Sequence, residues 1–324
     1  MIKCFFKNSN KLEVITALDA FDDNEDKKSK VVWLDMLHPN HEEIAFVEKT
    51  FGIDFPTKQE SEEIEISSRY WEEDKKIEIN SYFLISTEEG AHNETVSFIL
   101  QGNLLISIRY KELRAFEEFS KRFFYAPREF KDGYYIFSQL LDIRIDADAD
   151  IIEKLSKDIT KLRKHVFTDY TNEDEDILEK ISSFEDLNMN IRENLTDKQR
   201  ILTSFLKSNK YDVSLRADIV IMLKDIKSLI DYTQFNFERL DYLQNIFVGM
   251  LNIEQNKVIK IFTIMNVIFL PPTLIASVYG MNFDILPELR WDYGYAFSLV
   301  LMVISAVTPL AIFKKKGWIL CLVK

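Results

Sequence analysis

The hydrophobic rhythm of the chain changes along its length. Up to about residue 130, apolar positions come in short runs: KVVWLDM (30–36), IEISSRYWEE (64–73), KIEINSYFLIS (76–86), TVSFILQG (95–102) and NLLISIRY (103–110). Several alternate apolar with polar, which predicts half-buried strands. HPNHEEIAFVEKTFGI opens with a turn and continues as a helix, and LRAFEEFSKRFF makes a second short helix. Residues 1–130 therefore read as an α/β segment.

From Tyr134 to Val248 there is no glycine and no proline. So long a stretch without a breaker predicts long helices. Polar breaks divide it: HVFTDYTNEDED (165–176) reads as the turn of an antiparallel pair within residues 131–210, and SNKYDVS (208–214) as the next turn, with Asp212 or Ser214 as N-cap. A stalk helix over 211–260 then shows two heptad-like seams. One is Leu215, Met222, Leu229, Asn236, Leu243, Met250; the other is Ile219, Ile226, Thr233, Leu240, Phe247, Glu254. A helix running on to Met281 would be about 105 Å long, and its seam invites self-association around an axis.

Two uncharged runs follow, Ile261–Phe283 and Tyr293–Phe313, of 23 and 21 residues. Each suffices for a bilayer-crossing helix, which takes about 20 residues. The loop between them, 284–292, carries Asp284, Glu288, Arg290 and Asp292, whereas Lys257 and Lys260 precede the first run and Lys314–Lys316 follow the second. By the positive-inside rule both outer flanks, and with them the N-terminal part and the tail 314–324, face the cytoplasm. Trp291, Tyr293, Tyr295 and Trp318 suit an interfacial belt.

The first run is not uniformly apolar. On a helical wheel of about 100° per residue, Asn256, Thr263, Asn266, Thr273 and Ser277 share one arc with Ile259 and Leu270, and the rest of the surface is aliphatic, aromatic or proline. Polar groups at membrane depth face a partner helix or water. An isolated threonine would be read as helix glue, but this many in register point to a pore or a bundle axis. The second run, with Ser298, Ser305 and Thr308 alone, reads as an outer support. The arc holds no carboxylate or histidine, which argues against inner-shell capture of a transition metal. Asparagine and backbone carbonyls suit the waters of hydrated Mg²⁺. Asp284, Glu288 and Asp292 would concentrate cations at the mouth, and Ile259 and Leu270 would form apolar constrictions.

Composition narrows the classes. A formal net charge of −12 excludes nucleic acid as an expected partner. Two cysteines, Cys4 and Cys321, are too few for a disulfide framework. There is no P-loop, dinucleotide-binding glycine motif or HExxH, so no enzyme is expected. The HPNHE stretch reads as a turn before a helix rather than as metal ligands.

YGMN (279–282), followed by PEL (287–289), Trp291 and Gly294–Tyr295, resembles the CorA family of magnesium transporters. So do NIEQNKVIKIF (252–262), FLPPTL (269–274) and KKKGW (314–318), with weaker likeness upstream. The resemblance implies an α+β cytoplasmic domain, a long helical stalk and two C-terminal transmembrane helices, assembled as a funnel-shaped homopentamer in the cell inner membrane. It implies potential-driven influx of Mg²⁺, with Co²⁺ and Ni²⁺, through a selectivity filter at Gly280, Met281 and Asn282. The family's pore-facing positions fall on Asn256, Ile259, Leu270, Thr273 and Gly280. It also implies closure by cytoplasmic Mg²⁺ bound between subunits. The stalk position of that regulatory site is Ile221 here, which cannot be a ligand; Asp218 and Asp225 lie one turn away on either side, with Asp146, Asp148, Asp150 and Glu173–Asp176 as further candidates. The residues ILCLVK after Trp318 exceed the family's ending. Two alternatives stay open: a zinc transporter of related architecture, and a membrane-tethered coiled-coil scaffold.

Overall fold

The structure is a computed structural model that describes residues 1–8, 11–15, 29–57, 60, 69–87, 90–125, 131–168, 174–282 and 291–316. It divides into two compact units, Met1–Leu243 and Gln244–Lys324. The α/β segment and the long antiparallel helices thus fall in one unit.

Among the described residues of the first unit, seven strands form one sheet. They are β1 (Ile2–Asn8), β2 (Lys11–Ile15), β3 (Val31–Leu37), β4 (Tyr70–Glu72), β5 (Lys76–Thr87), β6 (Gly90–Gln101) and β7 (Leu104–Arg109), in the spatial order β2-β1-β3-β7-β6-β5-β4. Only β3 and β7 pair in parallel among these. The four runs expected as strands at 30–36, 76–86, 95–102 and 103–110 lie in β3, β5, β6 and β7. The first half of IEISSRYWEE falls outside the described residues, and its second half contains β4. The β1–β2 hairpin was missed, because IKCFF has no polar position between its aromatics to set a period of two.

Residues alternate across the sheet. Leu34, Met36, Ile106 and Ile108 enter a cluster on one face with Val47 of helix α1 (His41–Phe51). On the other face Trp33 stacks on Phe5 at 4.3 Å and meets Phe119 edge-on at 5.2 Å; Phe119 belongs to α2 (Arg114–Tyr125). Phe137 of α3 (Gly133–Thr168) meets Phe98 at 5.2 Å and Phe205 of α4 (Asp174–Phe205) at 5.3 Å. Strands β3 and β7 are covered on both faces, so their sequences read as near-continuous apolar runs.

Local signals explain the element ends. Helix α1 has a capping box: Glu43 N donates to Asn40 Oδ1 at 2.7 Å and Asn40 N to Glu43 Oε2 at 3.0 Å. It stops at Gly52, whose φ of 65° is left-handed. HPNHE is therefore a turn and a cap. Gly133 admits no side chain, since a Cβ there would lie 2.5 Å from Leu105 N. Asp212 Oδ1 accepts from Ser214 N at 2.9 Å, so Asp212 caps α5 (Val213–Tyr279) and Ser214 does not.

Helix α5 is continuous for 67 residues and ends at Tyr279, short of Met281. Within the first unit its seams are buried inside the chain itself. Leu215, Ile219, Met222, Ile226, Thr233, Asn236, Leu240 and Leu243 are covered, and Asn188 Nδ2 of α4 donates to Thr233 O at 2.9 Å. Arg239 Nη1 donates to Ser156 Oγ and Nη2 to Thr160 Oγ1 of α3, at 2.7 and 2.6 Å. Here the seam that suggested self-association serves intramolecular packing, with α3 and α4 bonded against it.

One buried ion pair ties the two central strands. Asp35 of β3 accepts from Arg109 Nε at 3.1 Å, from Nη2 at 2.9 Å and from Ser107 Oγ at 2.9 Å, and Ser107 Oγ in turn accepts from Trp33 Nε1 at 3.0 Å. Asp35→Ala leaves the Arg109 guanidinium buried without its counter-ion, a change that costs about 3–5 kcal/mol. The expected outcome is a markedly lower denaturant midpoint for the Trp33 fluorescence transition in Asp35→Ala; an unchanged midpoint would show that the pair adds nothing to stability.

Candidate ion-conduction site

Among the described residues two helices are long and apolar enough to cross a bilayer, α5 through its C-terminal part and α6 (Gly294–Lys315). Within the second unit, Ile264, Ile268, Pro271, Pro272, Ile275 and Tyr279 form the partly covered face of α5, and Gly294, Ser298, Met302, Ser305, Pro309 and Phe313 that of α6. These spacings of three and four are those of a helix pair.

The polar arc lies elsewhere on α5. Asn256, Ile259, Thr263, Asn266, Leu270, Thr273 and Ser277 are all exposed in the single chain, Leu270 to 64%. Two threonine hydroxyls turn their protons inward: Thr263 Oγ1 donates to Ile259 O at 2.8 Å and Thr273 Oγ1 to Phe269 O at 2.7 Å. Each hydroxyl oxygen therefore presents lone pairs outward, which suits the hydrogens of a cation's hydration water. The proline pair keeps the helix but removes two donors, so the carbonyls of Val267 and Ile268 lose their i+4 partners.

Past Tyr279 the backbone leaves the helix. Gly280 N still donates to Ala276 O at 2.9 Å and Met281 N to Val278 O at 3.3 Å. The φ of Gly280 is not positive, so this glycine is not a left-handed cap; what it avoids is crowding, since a Cβ would sit 3.0 Å from Ala276 O. Gly280, Met281 and Asn282 are exposed, as is Asp292. Asp284 and Glu288, with PEL, lie outside the described residues, as do Trp318 and the tail after it. Trp291 makes ring contacts with Tyr293 at 6.4 Å and Phe297 at 5.7 Å, joining the loop to α6.

The carboxylates proposed for regulation separate into distinct environments. Asp148 is buried and bonded to Arg144 Nε and Nη2, so it is structural. Asp218 and Asp225 are exposed on α5. Asp142 on α3 was missed; its spacing of four from Asp146 was the available sign. Burial pushes the Asp142 carboxyl above its ordinary value and Asp146 adds to this; Arg122 opposes it, and Asp218 and Asp225 raise it further. Among the described residues no group of three or more His, Cys, Asp or Glu is placed to hold a metal ion.

Comparison with known proteins now identifies the lineage. The profile described as "CorA-like Mg2+ transporter protein" matches residues 28–315. A Wolinella succinogenes protein named magnesium transport protein CorA is 47% identical over 296 residues, 90% of this chain and 92% of that one. A Campylobacter jejuni protein of the same name is 42% identical over 330 residues, covering 98% and 100%. The complete structure of the CorA magnesium transporter from Methanocaldococcus jannaschii superposes with a TM-score of 0.81 at 21% identity, covering 98% of each chain, and so shares the fold. This chain belongs to the CorA-like Mg²⁺ transporter family, a family of membrane ion transporters.

The Asp142 environment makes a pH prediction. A carboxyl whose folded-state pKa is raised costs stability above that pKa, and the cost disappears as pH falls below its unfolded value. Asp142→Asn should therefore raise the unfolding temperature at pH 7 to 8, with the gain shrinking as the pH is lowered. Equal gains at neutral and acid pH would exclude a charge origin.

Proposed function

We propose that the protein is a Mg²⁺ transporter whose ion path is formed by several copies of the polar arc of α5. The observation that carries this is the arc itself. A single chain leaves four polar side chains, Thr263, Asn266, Thr273 and Ser277, exposed within the uncharged run Ile261–Phe283, with Asn256 on the same arc just before it. At membrane depth such groups need protein or water partners. A ring of copies supplies both, with the arcs turned to a wet axis and the apolar faces turned to α6 and lipid.

In this reading the assembly is a homopentamer in the cell inner membrane, with both termini cytoplasmic. Lys257 and Lys260 before the first span and Lys314–Lys316 after the second support that orientation. Asn282 forms the outer ring, with Gly280 and Met281, and its neutral oxygens accept from the water shell of Mg²⁺, which dehydrates reluctantly. Asp284, Glu288 and Asp292 raise the local cation concentration outside it. Asn256, Thr263, Asn266, Thr273 and Ser277 continue the hydrated path, while Ile259 and Leu270 are the apolar gates. Co²⁺ and Ni²⁺ pass by the same outer-sphere contacts. Cytoplasmic Mg²⁺ closes the path, and the acidic surface around Asp142, Asp146, Asp218 and Asp225 is the region where it would act. The names of the curated relatives specify magnesium, which favours this reading over the zinc one, and family membership sets the scaffold reading aside.

The test is Mg²⁺ uptake into proteoliposomes under an imposed potential, for wild type and Asn282→Ala, with Co²⁺, Ni²⁺ and Zn²⁺ as competitors. Potential-driven uptake is expected in wild type, inhibited by Co²⁺ and Ni²⁺, and reduced at least about tenfold in Asn282→Ala, as befits loss of a ring of polar contacts at the narrowest point. Uptake unaffected by Asn282→Ala would remove the filter from this position, and Zn²⁺ flux coupled to protons would replace magnesium by zinc.

A further inference from the structure

A cavity on the first unit, remote in sequence from the ion path, is lined by positive charge that the fold matches only in part. It has a volume of about 420 Å³ and lies where α4 packs on β5, bounded by Arg69, Tyr82, Arg192, Thr196, Asp197 and Arg200. Arg69 is only 5% exposed. Its guanidinium lies over the Tyr82 ring, 3.9 Å from the centroid, with Nε 3.8 Å from an Asp197 carboxylate oxygen. Both terminal nitrogens, Nη1 and Nη2, are buried, and among the described residues neither makes a well-formed hydrogen bond. Buried donors of a charged group are ordinarily satisfied, and leaving them bare is costly.

The neighbouring acids do not fill that need. Asp197 is spent on the sheet, accepting from Tyr82 N at 2.9 Å and Ser81 Oγ at 3.2 Å. Glu193, also on the rim, accepts from Asn93 Nδ2 at 3.3 Å. Arg192 uses one nitrogen on Gln234 Oε1 at 3.1 Å, and Arg200 stands exposed without an ion pair among the described residues. Three guanidiniums thus face one cavity against two carboxylates already engaged.

We propose that this cavity binds a polyphosphate anion, held by Arg69, Arg192 and Arg200. The planar fork of a guanidinium matches the spacing of phosphate oxygens and binds them two at a time. A carboxylate ligand would occupy one fork; a chain of phosphates carries enough oxygens for three. The volume is that of a small-molecule site rather than of a single ion. The ligand's charge would balance the buried Arg69 guanidinium, while Arg192 and Arg200 reach the ligand directly.

The test is calorimetric titration of the full-length protein in detergent and metal-free buffer with pyrophosphate, ATP and adenosine as probes. Wild type, Arg192→Gln, Arg200→Gln and a control, Lys180→Gln elsewhere on α4, are compared. Pyrophosphate and ATP are expected to bind saturably, one per protomer, and each arginine variant to weaken binding about tenfold, the loss of one charge-assisted hydrogen bond. Lys180→Gln should bind as wild type does. No saturable binding of either phosphate, equal weakening by Lys180→Gln, unchanged binding in both arginine variants, or adenosine binding as tightly as ATP would each overturn the proposal. Arg200 is exposed on α4, so Arg200→Gln does not endanger the fold, and both arginines are far in sequence from Asn282, whose uptake assay is independent of this one.

Discussion

In hydrocarbon a backbone amide can hydrogen-bond only to protein. This constraint governs the second unit. It requires the two apolar segments to be helical, and it limits where a polar side chain can stand on them. Thr263 and Thr273 meet it by donating to carbonyls of their own helix. Asn256 and Asn266 remain exposed in the single chain. The proline pair at 271–272 works in the other direction, releasing backbone acceptors while the helix continues through to Tyr279. A segment built only to anchor would have no use for these features.

The first unit is governed by desolvation of charge. Several of the ions it buries have partners among the described residues. Asp35 has Arg109 and Ser107. Asp148 has Arg144, and Lys198, wholly buried, donates to Asn194 Oδ1 and to Tyr82 O. Burial nevertheless lowers the Lys198 ammonium to about 8. Its stability cost is therefore present below pH 8 and fades as pH rises towards the unfolded value of lysine. Arg69, paired with Asp197 through Nε alone, is less completely matched, and it borders a cavity.

Helix α5 contributes to both units under different rules. Up to Leu243 its seam is closed by α3 and α4, with Asn188 and Arg239 bonded across. From Asn252 to Ile259 every residue is exposed in the single chain. Heptad spacing alone could not distinguish a seam covered from within the chain from one covered by another copy, since both require the same residue types at the same intervals.

Much of the molecule was legible in the order of its residues. Capping chemistry placed α1 and the start of α5, since Asn40 with Glu43 and Asp212 with Ser214 act over three or fewer residues. The polar arc could be read because a straight helix converts sequence spacing directly into a face. The apolar spans could be read because bilayer thickness sets their length. The sequence by itself thus determined the long helices, most of the strands, the membrane-competent helices and the motif at 280–282. Only the tertiary structure decided how charges were matched. Asp148, a plausible metal ligand in the linear chain, is consumed by Arg144. Asp142, not singled out, stands within the field of Asp218 and Asp225, while Arg69, Arg192 and Arg200, spread over more than a hundred residues, line one cavity. Local backbone chemistry is encoded by neighbours in sequence, whereas the pairing of buried charge depends on distances that exist only after the chain has folded.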